Sequence, residues 1–386
     1  MITTINNKHK KLNVPNIRFP EFSGEWEYFL INNVCSEFKS GKNIKADSIY
    51  ESGEYPVYGG NGLRGYTSSY NHDGLYVLIG RQGALCGNVR SVYGKTYITE
   101  HAIAVAGNEI SNTSFLHQLF LKMNLGQYSD QSAQPGLAVN KLLKLKVALP
   151  SVLEQTKIAS LLSLLDERIA TQNKIIEDLK KLKCAIIENV LNSNHCTTLQ
   201  LGDVGSYIRG LTYSSNDVVE DNGTLVMRSN NIVNGSPLDY KGDVVSVNKQ
   251  ISQEQQLQNG DIVICMANGS SALVGKSSFY DGECQSPITV GAFCGIYRSK
   301  MPITKWLFQT NRYRRYIWNS LQGGNGAIAN LNGEDILRMQ FPIPDKQIAE
   351  RCTKLLSSID SLIESNISLC SKFSLQKEYL LRQMFI

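Results

Sequence analysis

Two long stretches of the chain carry apolar residues at alternating steps of four and three. The first runs from Ile158 to Val190, and its average step of about 3.5 residues is that of a helix with an apolar seam. Two polar residues, Gln172 and Lys183, interrupt this seam. The pattern predicts a helix of about 38 residues, roughly 57 Å long. Its apolar seam positions are Ile158, Leu162, Leu165, Ile169, Ile176, Leu179, Ile186 and Val190.

The same pattern returns about 194 residues later, with Asn366 and Lys377 in the two polar slots. Matching polar positions in two seams predict that the helices are partners, and a two-fold relation between the halves makes them antiparallel. The alternatives are that each helix packs on its own globular half or pairs with another chain. The apolar seam positions of this second helix are Cys352, Leu356, Ile359, Ile363, Cys370, Phe373, Leu380 and Met384.

The remaining segments, about 140 residues each, combine short β-rich runs with glycine-rich turns. The runs are residues 76–80 and 96–105 in the first half, and 261–266, 277–280 and 288–297 in the second. Helical stretches follow at 114–123 and 304–321. The expected fold class is α+β, with two pseudo-symmetric β-rich domains separated by two long antiparallel coiled-coil helices. The expected order is an N-terminal tail (1–14), a first globular domain (15–149), a first long helix (150–194), a second globular domain (195–341) and a second long helix (342–386).

Local motifs also recur in the two halves. Residues 77–87 parallel 262–269 together with 272–275, and Gly-x-x-x-Asn occurs at 136–140 and 326–330. Most other side chains differ, so the halves are predicted to share a scaffold and to carry different loop residues. A tandem duplication tends to have a pseudo-two-fold axis, and duplex DNA is the commonest ligand with a matching axis.

Composition is compatible with a protein that binds DNA. At 386 residues and 42% hydrophobic, the chain can bury two cores, and its net charge of +5 is a mild basic bias. Its nine cysteines have no Cys-x-x-Cys spacing, which argues against structural zinc or a disulfide framework. The first residues have no apolar core of the kind that a signal peptide carries, and no uncharged apolar stretch is long enough to span a bilayer, so we expect neither element. The prediction is a cytoplasmic protein without a membrane partner.

The sequence offers no convincing active site. The segments Gly94-Lys95-Thr96 and Gly275-Lys276-Ser277 resemble the end of a phosphate-binding loop, but neither has the first glycine that such a loop requires. The five histidines lack metal-ligand spacing, and His101 and His117 are interpreted as structural residues. We therefore expect a recognition protein that is not an enzyme and has no cofactor or metal of its own.

Reading of bases requires donors and acceptors on loops that enter a groove, with arginine suited to guanine and Asn or Gln to adenine. Such residues are equally common at ordinary polar hairpin tips. Arg312 and Arg314 lie on a predicted helix with Trp306, Tyr316 and Trp318, where the aromatics face inward and the arginines contact phosphates or only solvent. The other DNA-binding candidates are Tyr58, Asn61, Arg64, Arg81, Gln82, Asn88 and Gln134 in the first half, and Arg228, Ser229, Asn230, Asn231, Asn268, Ser270, Ser271 and Asn325 in the second.

Several of these segments together resemble one protein family. The leader at 14–27, the run Tyr-Pro-Val-Tyr-Gly-Gly-Asn-Gly at 55–62 and the segment Gly-Arg-Gln-Gly-Ala at 80–84 are similar to specificity subunits of Type I restriction–modification systems. Leu149-Pro150 with Glu154-Gln155 and Asp166 resembles the start of their conserved helix. The second copy departs from this pattern, since Lys346-Gln347 replaces Glu-Gln and two extra residues precede Asp360.

The resemblance implies two target-recognition domains that bind double-stranded DNA, one half-site each, with the helices setting the gap. The implied partners are two copies of a modification methyltransferase and the motor–endonuclease restriction subunits, with S-adenosylmethionine, ATP and magnesium bound by those partners. One alternative is the specificity chain of a related Type II system with a fused methyltransferase–nuclease partner. A more distant alternative is a non-catalytic coiled-coil scaffold that does not bind DNA.

Overall fold

The computed structural model describes residues 13–130, 136–194, 196–321 and 329–386, and the chain divides into two compact units. Unit 1 comprises the chain up to Asn173 together with Ile367–Ile386, and unit 2 comprises Lys174–Asn366. Both long helices therefore contribute residues to both units.

Unit 1 combines short strands with helices of one to three turns and with segments of the long helices. Its helices are α1 (Ile31–Val34), α2 (Thr113–Met123), α3 (Val139–Leu142) and the first part of α4 (Val152–Leu191). Its strands are β1 (Glu27–Leu30), β2 (Cys35–Ser40), β3 (Tyr55–Gly59), β4 (Gly62–Thr67), β5 (Leu75–Gly80), β6 (Val89–Tyr93), β7 (Tyr97–Ile98), β8 (Ala102–Gly107) and β9 (Lys146–Leu149).

Two sheets sandwich part of the core of unit 1. One has the order β2-β8-β5-β6 and is antiparallel, and the other has the order β4-β3-β7 with β3 and β7 parallel. Alternation along β5 sends Val77 and Ile79 toward α2, where they join the cluster of Phe115, and sends Leu78 toward the second sheet, where it packs near Tyr58. Strand β1 pairs with β9 and so brings the start of α4 to this core.

Unit 2 repeats this arrangement with different strand lengths. Its helices are α5 (Leu201–Val204), α6 (Thr304–Leu307), α7 (Asn311–Leu321), α8 (Gly333–Leu337) and the first part of α9 (Lys346–Gln383). Its strands are β10 (Cys196–Gln200), β11 (Gly205–Arg209), β12 (Val218–Val219), β13 (Thr224–Met227), β14 (Val245–Val247), β15 (Ile262–Cys265), β16 (Ala267–Asn268), β17 (Ser277–Phe279), β18 (Ile288–Val290), β19 (Cys294–Ser299), β20 (Ala329–Asn330) and β21 (Gln340–Pro344).

The larger sheet of unit 1 corresponds strand by strand to a sheet of unit 2. The order β11-β19-β15-β17 matches β2-β8-β5-β6, and β10 pairs with β21 as β1 pairs with β9. The second sheet, β12-β14-β13-β18, has one more strand than its counterpart but keeps a parallel pair, β13 with β18. Along β15, Ile262 and Ile264 pack with Trp306 of α6. Val263 and Cys265 belong instead to a separate apolar cluster with Met227 of β13 and Val290 of β18.

The long helices begin at positions that are equivalent in the repeat. The Ser151 hydroxyl accepts a hydrogen bond from the Glu154 N–H (3.3 Å), and the Asp345 carboxylate accepts one from the Ile348 N–H (2.9 Å). Ser and Asp at this position satisfy N–H groups that have no partner within the helix. Helix α4 then runs for 40 residues and α9 for 38.

Within each unit, the segments of α4 and α9 are antiparallel. In unit 1, Lys377 Nζ lies 2.5 Å from Asp166 Oδ1, and Cys370 Sγ lies 3.5 Å from Asn173 Oδ1, so positions that advance along α4 meet positions that recede along α9. In unit 2, Lys183 pairs with Asp360 at 2.8 Å. The lysines that interrupt the two seams are thus the cations of two ion pairs in equivalent positions of the repeat.

The predicted fold class is confirmed: two β-rich halves accompany two long helices that pack together. The predicted seam positions of both long helices are all buried or half-buried. Among the described residues, no helix is long and apolar enough to cross a bilayer, and no cluster of three or more His, Cys, Asp or Glu side chains has the geometry of a metal site.

Turns divide three of the predicted segments, and the expectation of one continuous helix over 304–321 is wrong. The β-rich runs at 96–105 and 288–297 each contain two strands with a turn between them. The helical stretch at 304–321 consists of α6 and α7, since Thr310 Oγ1 accepts a hydrogen bond from the Tyr313 N–H (3.1 Å) and begins a new helix. The predicted inward position of the aromatics is also wrong for Trp318, which is 66% exposed, whereas Tyr313 and Ile317 face the core.

Candidate nucleic-acid interface

In each unit, three loops meet at the ends of equivalent strands, and we refer to them as the convergent loops. In unit 1 they are residues 59–62 after β3, 81–88 after β5 and 99–101 before β8. In unit 2 they are residues 228–243 after β13, 266–276 after β15 and 291–293 before β19. Most of the sequence-predicted DNA-binding residues lie in these six segments.

The convergent loops of both units are joined by the same backbone hydrogen bonds. The His101 carbonyl accepts from the Arg81 N–H (2.9 Å), and the Phe293 carbonyl accepts from the Met266 N–H (2.8 Å). The Thr99 N–H donates to the Tyr58 carbonyl as the Gly291 N–H donates to the Met227 carbonyl. In the same way, the Gly87 N–H donates to Gly80 and the Gly275 N–H to Cys265. The Leu137 N–H likewise donates to Arg81 and the Leu331 N–H to Met266. Equivalent atoms therefore hold loops with different side chains.

In unit 1, arginines lie around the hairpin tip at 59–62. A Cβ at Gly59 would lie 2.9 Å from Arg64 Cδ, and one at Gly60 would lie 2.7 Å from the His101 carbonyl oxygen. Gly62, at φ +109, leaves room for the guanidinium of Arg90, which a side chain there would overlap. Glycine at these positions lets Arg64 and Arg90 approach the backbone of the tip. Asn61, exposed, is at its apex.

Arg90 was not among the sequence-predicted residues. It lies in β6 opposite Leu78, on the face that also carries the buried Val92. Its Nε is buried and has no hydrogen-bond partner among the described residues. A charged residue two positions before a buried valine in a strand was the available signal, since alternation places both side chains on one face.

The second loop of unit 1 places Gln82 next to His101. His101 Nδ1 lies 3.1 Å from Gln82 Oε1, and His101 Nε2 lies 3.2 Å from Glu100 Oε1. His101 therefore belongs to the convergent loops and helps to position Gln82, a role beyond the purely structural one expected from the sequence. The Arg81 side chain is half-buried, and the backbone N–H of Arg81 donates to the carbonyl of the same histidine.

Not every first-half candidate lies in an open position. Tyr58 is half-buried against the apolar cluster between the two sheets, so its ring contributes to packing. Asn88 lies at the base of its loop, where its carbonyl accepts from the Gly80 N–H (2.8 Å). Gln134 lies outside the described residues.

In unit 2, the charge of the one arginine candidate in the convergent loops is balanced. Arg228 Nη2 lies 2.9 Å from Asp243 Oδ2, and Asn230 Nδ2 donates to the same oxygen at 2.9 Å. Asn268 Nδ2 donates to Ser229 Oγ (3.2 Å), and its Oδ1 accepts from the Ser270 N–H (3.0 Å). These residues form a hydrogen-bonded network at the edge of a cleft.

This cleft has a volume of about 610 Å³ and combines polar and aromatic walls. Besides the network it is lined by Tyr213 and by Phe293, whose side chain is 69% exposed. Beneath the turn that carries Phe293, burial raises the pKa of the Cys294 thiol to about 12 and also raises that of Cys265. Both thiols therefore stay protonated and act as small apolar groups.

The remaining second-half candidates are distributed differently. Asn231 is 1% exposed, and its amide bonds the Arg228 N–H (2.9 Å) and the Asp243 carbonyl (3.2 Å), so its position is that of a structural residue. Ser271 and Arg314 line a separate cleft with Gly275, and Arg312 lies near the end of α4 beside Glu188. Asn325 lies outside the described residues.

Comparisons with known proteins are consistent with one family. The protein-family model described as Type I restriction modification DNA specificity domain matches residues 23–181 and 195–369. A putative type I restriction enzyme specificity subunit of Haemophilus influenzae is 23% identical over 365 residues, covering 88% of this chain and 89% of that protein.

Stronger but shorter similarities involve two proteins of Escherichia coli. The EcoprrI specificity subunit is 42% identical over 160 residues, 40% of this chain and 39% of its own length. The EcoKI specificity subunit is 34% identical over 172 residues, 41% of this chain and 35% of its own length. These matches thus span little more than a third of either relative.

The fold is similar to a solved structure as well. The crystal structure of a Type-I restriction-modification system S subunit from M. genitalium superimposes with a TM-score of 0.70 at 14% identity, covering 97% of this chain and 99% of that one. The segments that the protein-family model matches include both β-rich halves and most of both long helices. The chain belongs to the family of Type I restriction–modification DNA specificity subunits.

Proposed function

We propose that this chain recognises a bipartite, asymmetric double-stranded DNA target, with unit 1 reading one half-site and unit 2 the other. One observation carries the proposal: equivalent backbone hydrogen bonds support convergent loops with different side chains in the two units. A common scaffold with exchanged polar side chains is suited to two different base sequences. The helix pair sets the unread gap between the half-sites.

The side chains present suit direct reading of base edges. In unit 1, Arg81 and Gln82 could pair bidentately with guanine and adenine, while Arg64 and Arg90 bind phosphates or guanine. In unit 2, Ser229, Asn230 and Asn268 supply neutral donors and acceptors. Asn231 is left out of this proposal because its side chain is buried, at 1% exposure, with both ends of its amide bonded within the chain, whereas Asn268 is half-buried.

Methylation of adenine belongs, in this proposal, to two copies of a partner methyltransferase that binds S-adenosylmethionine. Motor–endonuclease subunits, which use ATP and magnesium, carry out cleavage. Exposed apolar residues on the long helices support such docking, and Ile175 and Leu369 occupy equivalent positions of the repeat with 37% and 39% exposure. Equivalent apolar positions on two helices suit two identical partners.

The test is sequencing of methylated adenines in a host that expresses this chain together with its methyltransferase. A variant in which residues 15–148 are replaced by the corresponding segment of another specificity subunit serves as the comparison. We expect one methylated bipartite motif for the original chain, and for the variant a motif in which only one half has changed. A motif that changes in both halves, or no specific methylation by the original chain, would contradict the proposal.

A further inference from the structure

We infer that Phe293 is a specificity-determining residue of unit 2, and that its ring contacts the methyl group of a thymine in the major groove. The inference rests on the proposed function and adds the base feature that one side chain reads. Phe293 was not a candidate from the sequence, because the candidates were hydrogen-bond donors and acceptors on loops, whereas Phe293 is apolar and lies inside the β-rich run 288–297.

The turn that carries Phe293 is held from two sides. The Phe293 carbonyl accepts hydrogen bonds from the Met266 N–H (2.8 Å) and the Ala267 N–H (3.1 Å), which ties it to the loop after β15. The Gly291 N–H donates to the Met227 carbonyl (2.9 Å), and the Gly291 carbonyl accepts from the Cys294 N–H (2.8 Å). A turn with four such bonds presents its side chain in a defined direction, as a reading residue requires.

The Phe293 side chain is exposed, although residues on both sides of it in the turn are buried. Gly291 and Cys294 are buried, whereas Phe293 is 69% exposed and stands in the cleft with Tyr213, Ser229 and Asn230. A single exposed apolar residue is ordinary on a protein surface. Here it lies among the polar side chains that are proposed to read bases, so an apolar surface is available at the same place as hydrogen-bonding groups.

Unit 1 has an aromatic ring at the equivalent position. The His101 carbonyl accepts from the Arg81 N–H as the Phe293 carbonyl accepts from the Met266 N–H. His101 offers ring nitrogens, and these lie near Gln82 and Glu100, whereas Phe293 has no polar atom. One scaffold position thus carries a polar ring in one unit and an apolar ring in the other, as expected for a position that contributes to the choice of base.

The chemistry of Phe293 restricts what it can recognise. The 5-methyl group of thymine is the apolar feature of the base edges in the major groove, and phenylalanine is among the residues that contact it. The amides of Asn230 and Asn268 nearby suit the adenine edge, which accompanies thymine in the same base pair. A wedge between base steps is the other use of such a ring, but this occurs in the minor groove, where hydrogen-bond reading is degenerate.

The test uses the full chain with its methyltransferase and a duplex that carries the methylated motif. The second half-site is the one that stays unchanged when residues 15–148 are replaced. Each thymine of that half-site, on either strand, is replaced in turn by deoxyuridine, which lacks the methyl group. For the original protein we expect binding to weaken roughly fourfold at one position, the value of one buried methyl group.

Variants locate this effect on the protein. Phe293→Ala should weaken binding to the thymine duplex by at least the same factor. The variant protein should then bind the deoxyuridine duplex as tightly as it binds the thymine duplex. Phe293→Leu, which keeps an apolar side chain, should retain part of the discrimination. Trp318→Ala is the matched control, since Trp318 is 66% exposed in the same unit but lies on α7, outside the convergent loops.

Three results would overturn the inference. The original protein could bind all deoxyuridine duplexes as tightly as the thymine duplex, or the second half-site could contain no A·T pair. A rise in 2-aminopurine fluorescence at one step that depends on Phe293 would assign the ring to a wedge instead. Failure of the proposed function is distinct from these results, because it would appear as the absence of any methylated motif or as a motif that changes in both halves when residues 15–148 are replaced.

Discussion

The convergent loops of the two units share a backbone and differ in charge. In unit 1, Arg64, Arg81 and Arg90 lie beside the hairpin tip at 59–62, and none of them forms an ion pair with another described residue. In unit 2, Arg228 is paired with Asp243, and the neighbouring groups are amides, hydroxyls and aromatic rings. Backbone geometry is therefore common to the loops of both units, while the charge of the side chains differs from one unit to the other.

The ion pairs between the long helices also differ between the two units, in how deeply they are buried. Lys183 and Asp360 in unit 2 have side chains that are 8% and 10% exposed, and Asp360 also lies 3.1 Å from Lys305. Lys377 and Asp166 in unit 1 are 13% and 39% exposed, and Gln118 donates to Asp166 at 3.0 Å. Equivalent positions thus carry a desolvated pair in one unit and a partly solvated pair in the other.

The largest difference between the units should come from removing these carboxylates. Asp360→Ala leaves Lys183 buried and without its counter-charge, so we expect a loss of about 3–5 kcal/mol in the stability of unit 2. Asp166→Ala should cost about 1 kcal/mol, because Asp166 is partly exposed and Lys377 can reach water. Amide hydrogen exchange of β15 for unit 2 and of β5 for unit 1 measures the two effects separately.

A combined substitution serves as the control for this comparison. Lys183→Met and Lys305→Met together with Asp360→Leu remove all three charges of this cluster and should recover most of the stability that Asp360→Ala loses. Equal losses for Asp360→Ala and Asp166→Ala would show that burial does not distinguish the two pairs.

Acid should affect unit 1 before unit 2. Burial, with a smaller contribution from Lys377, lowers the pKa of His117 from 6.5 to about 4, and the described part of unit 2 contains no histidine. The unfolded chain then binds a proton that the folded chain does not, so the stability of unit 1 falls as the pH decreases from about 6.5 toward 4, on the order of 2–3 kcal/mol.

Hydrogen exchange of β5 and β15 across this pH range, corrected for the intrinsic exchange rate, checks the prediction. His117→Gln should remove most of the pH dependence of unit 1 between these values and leave that of unit 2 unchanged. A steeper loss in unit 2 would mean that its carboxylates dominate the acid response.

The smallest effect concerns salt and sharpens the contrast between the two sets of loops. Replacing Arg64 and Arg90 together by Gln should lower the slope of log affinity against log salt by up to about two, one for each phosphate contact. Arg228→Gln should change the slope by much less than one, since Asp243 already balances this charge.

Asp243→Asn provides the converse experiment, because it frees Arg228 and should make binding more salt-dependent. The measurement is a salt titration of binding to the duplex with the methylated motif, with the methyltransferase present. Equal slopes for Arg228→Gln and for a single unit 1 arginine variant would contradict the proposed difference in charge.

Much of the architecture was predictable from the sequence because it depends on periodic patterns. The spacing of four and three predicted both long helices, and the repeat predicted their partnership, which the pairs Asp166–Lys377 and Lys183–Asp360 now explain. The recurrent glycines predicted the correspondence of the loops after β5 and β15, and Gly87 and Gly275 indeed make equivalent hydrogen bonds. Which loop residues contact DNA stays a prediction.

The sequence alone determined the repeat, the helix pair and the segments in which polar loop residues lie, since burial imposes a period that a single chain displays. Only the tertiary structure decided which of those residues meet. The turns before β8 and β19, the burial of Asn231, the placement of Arg90 against Gly62 and the exposure of Phe293 all depend on contacts between segments far apart in sequence. Local patterns carry no record of such contacts, because each side chain acquires its surroundings from strands that are neighbours only in space.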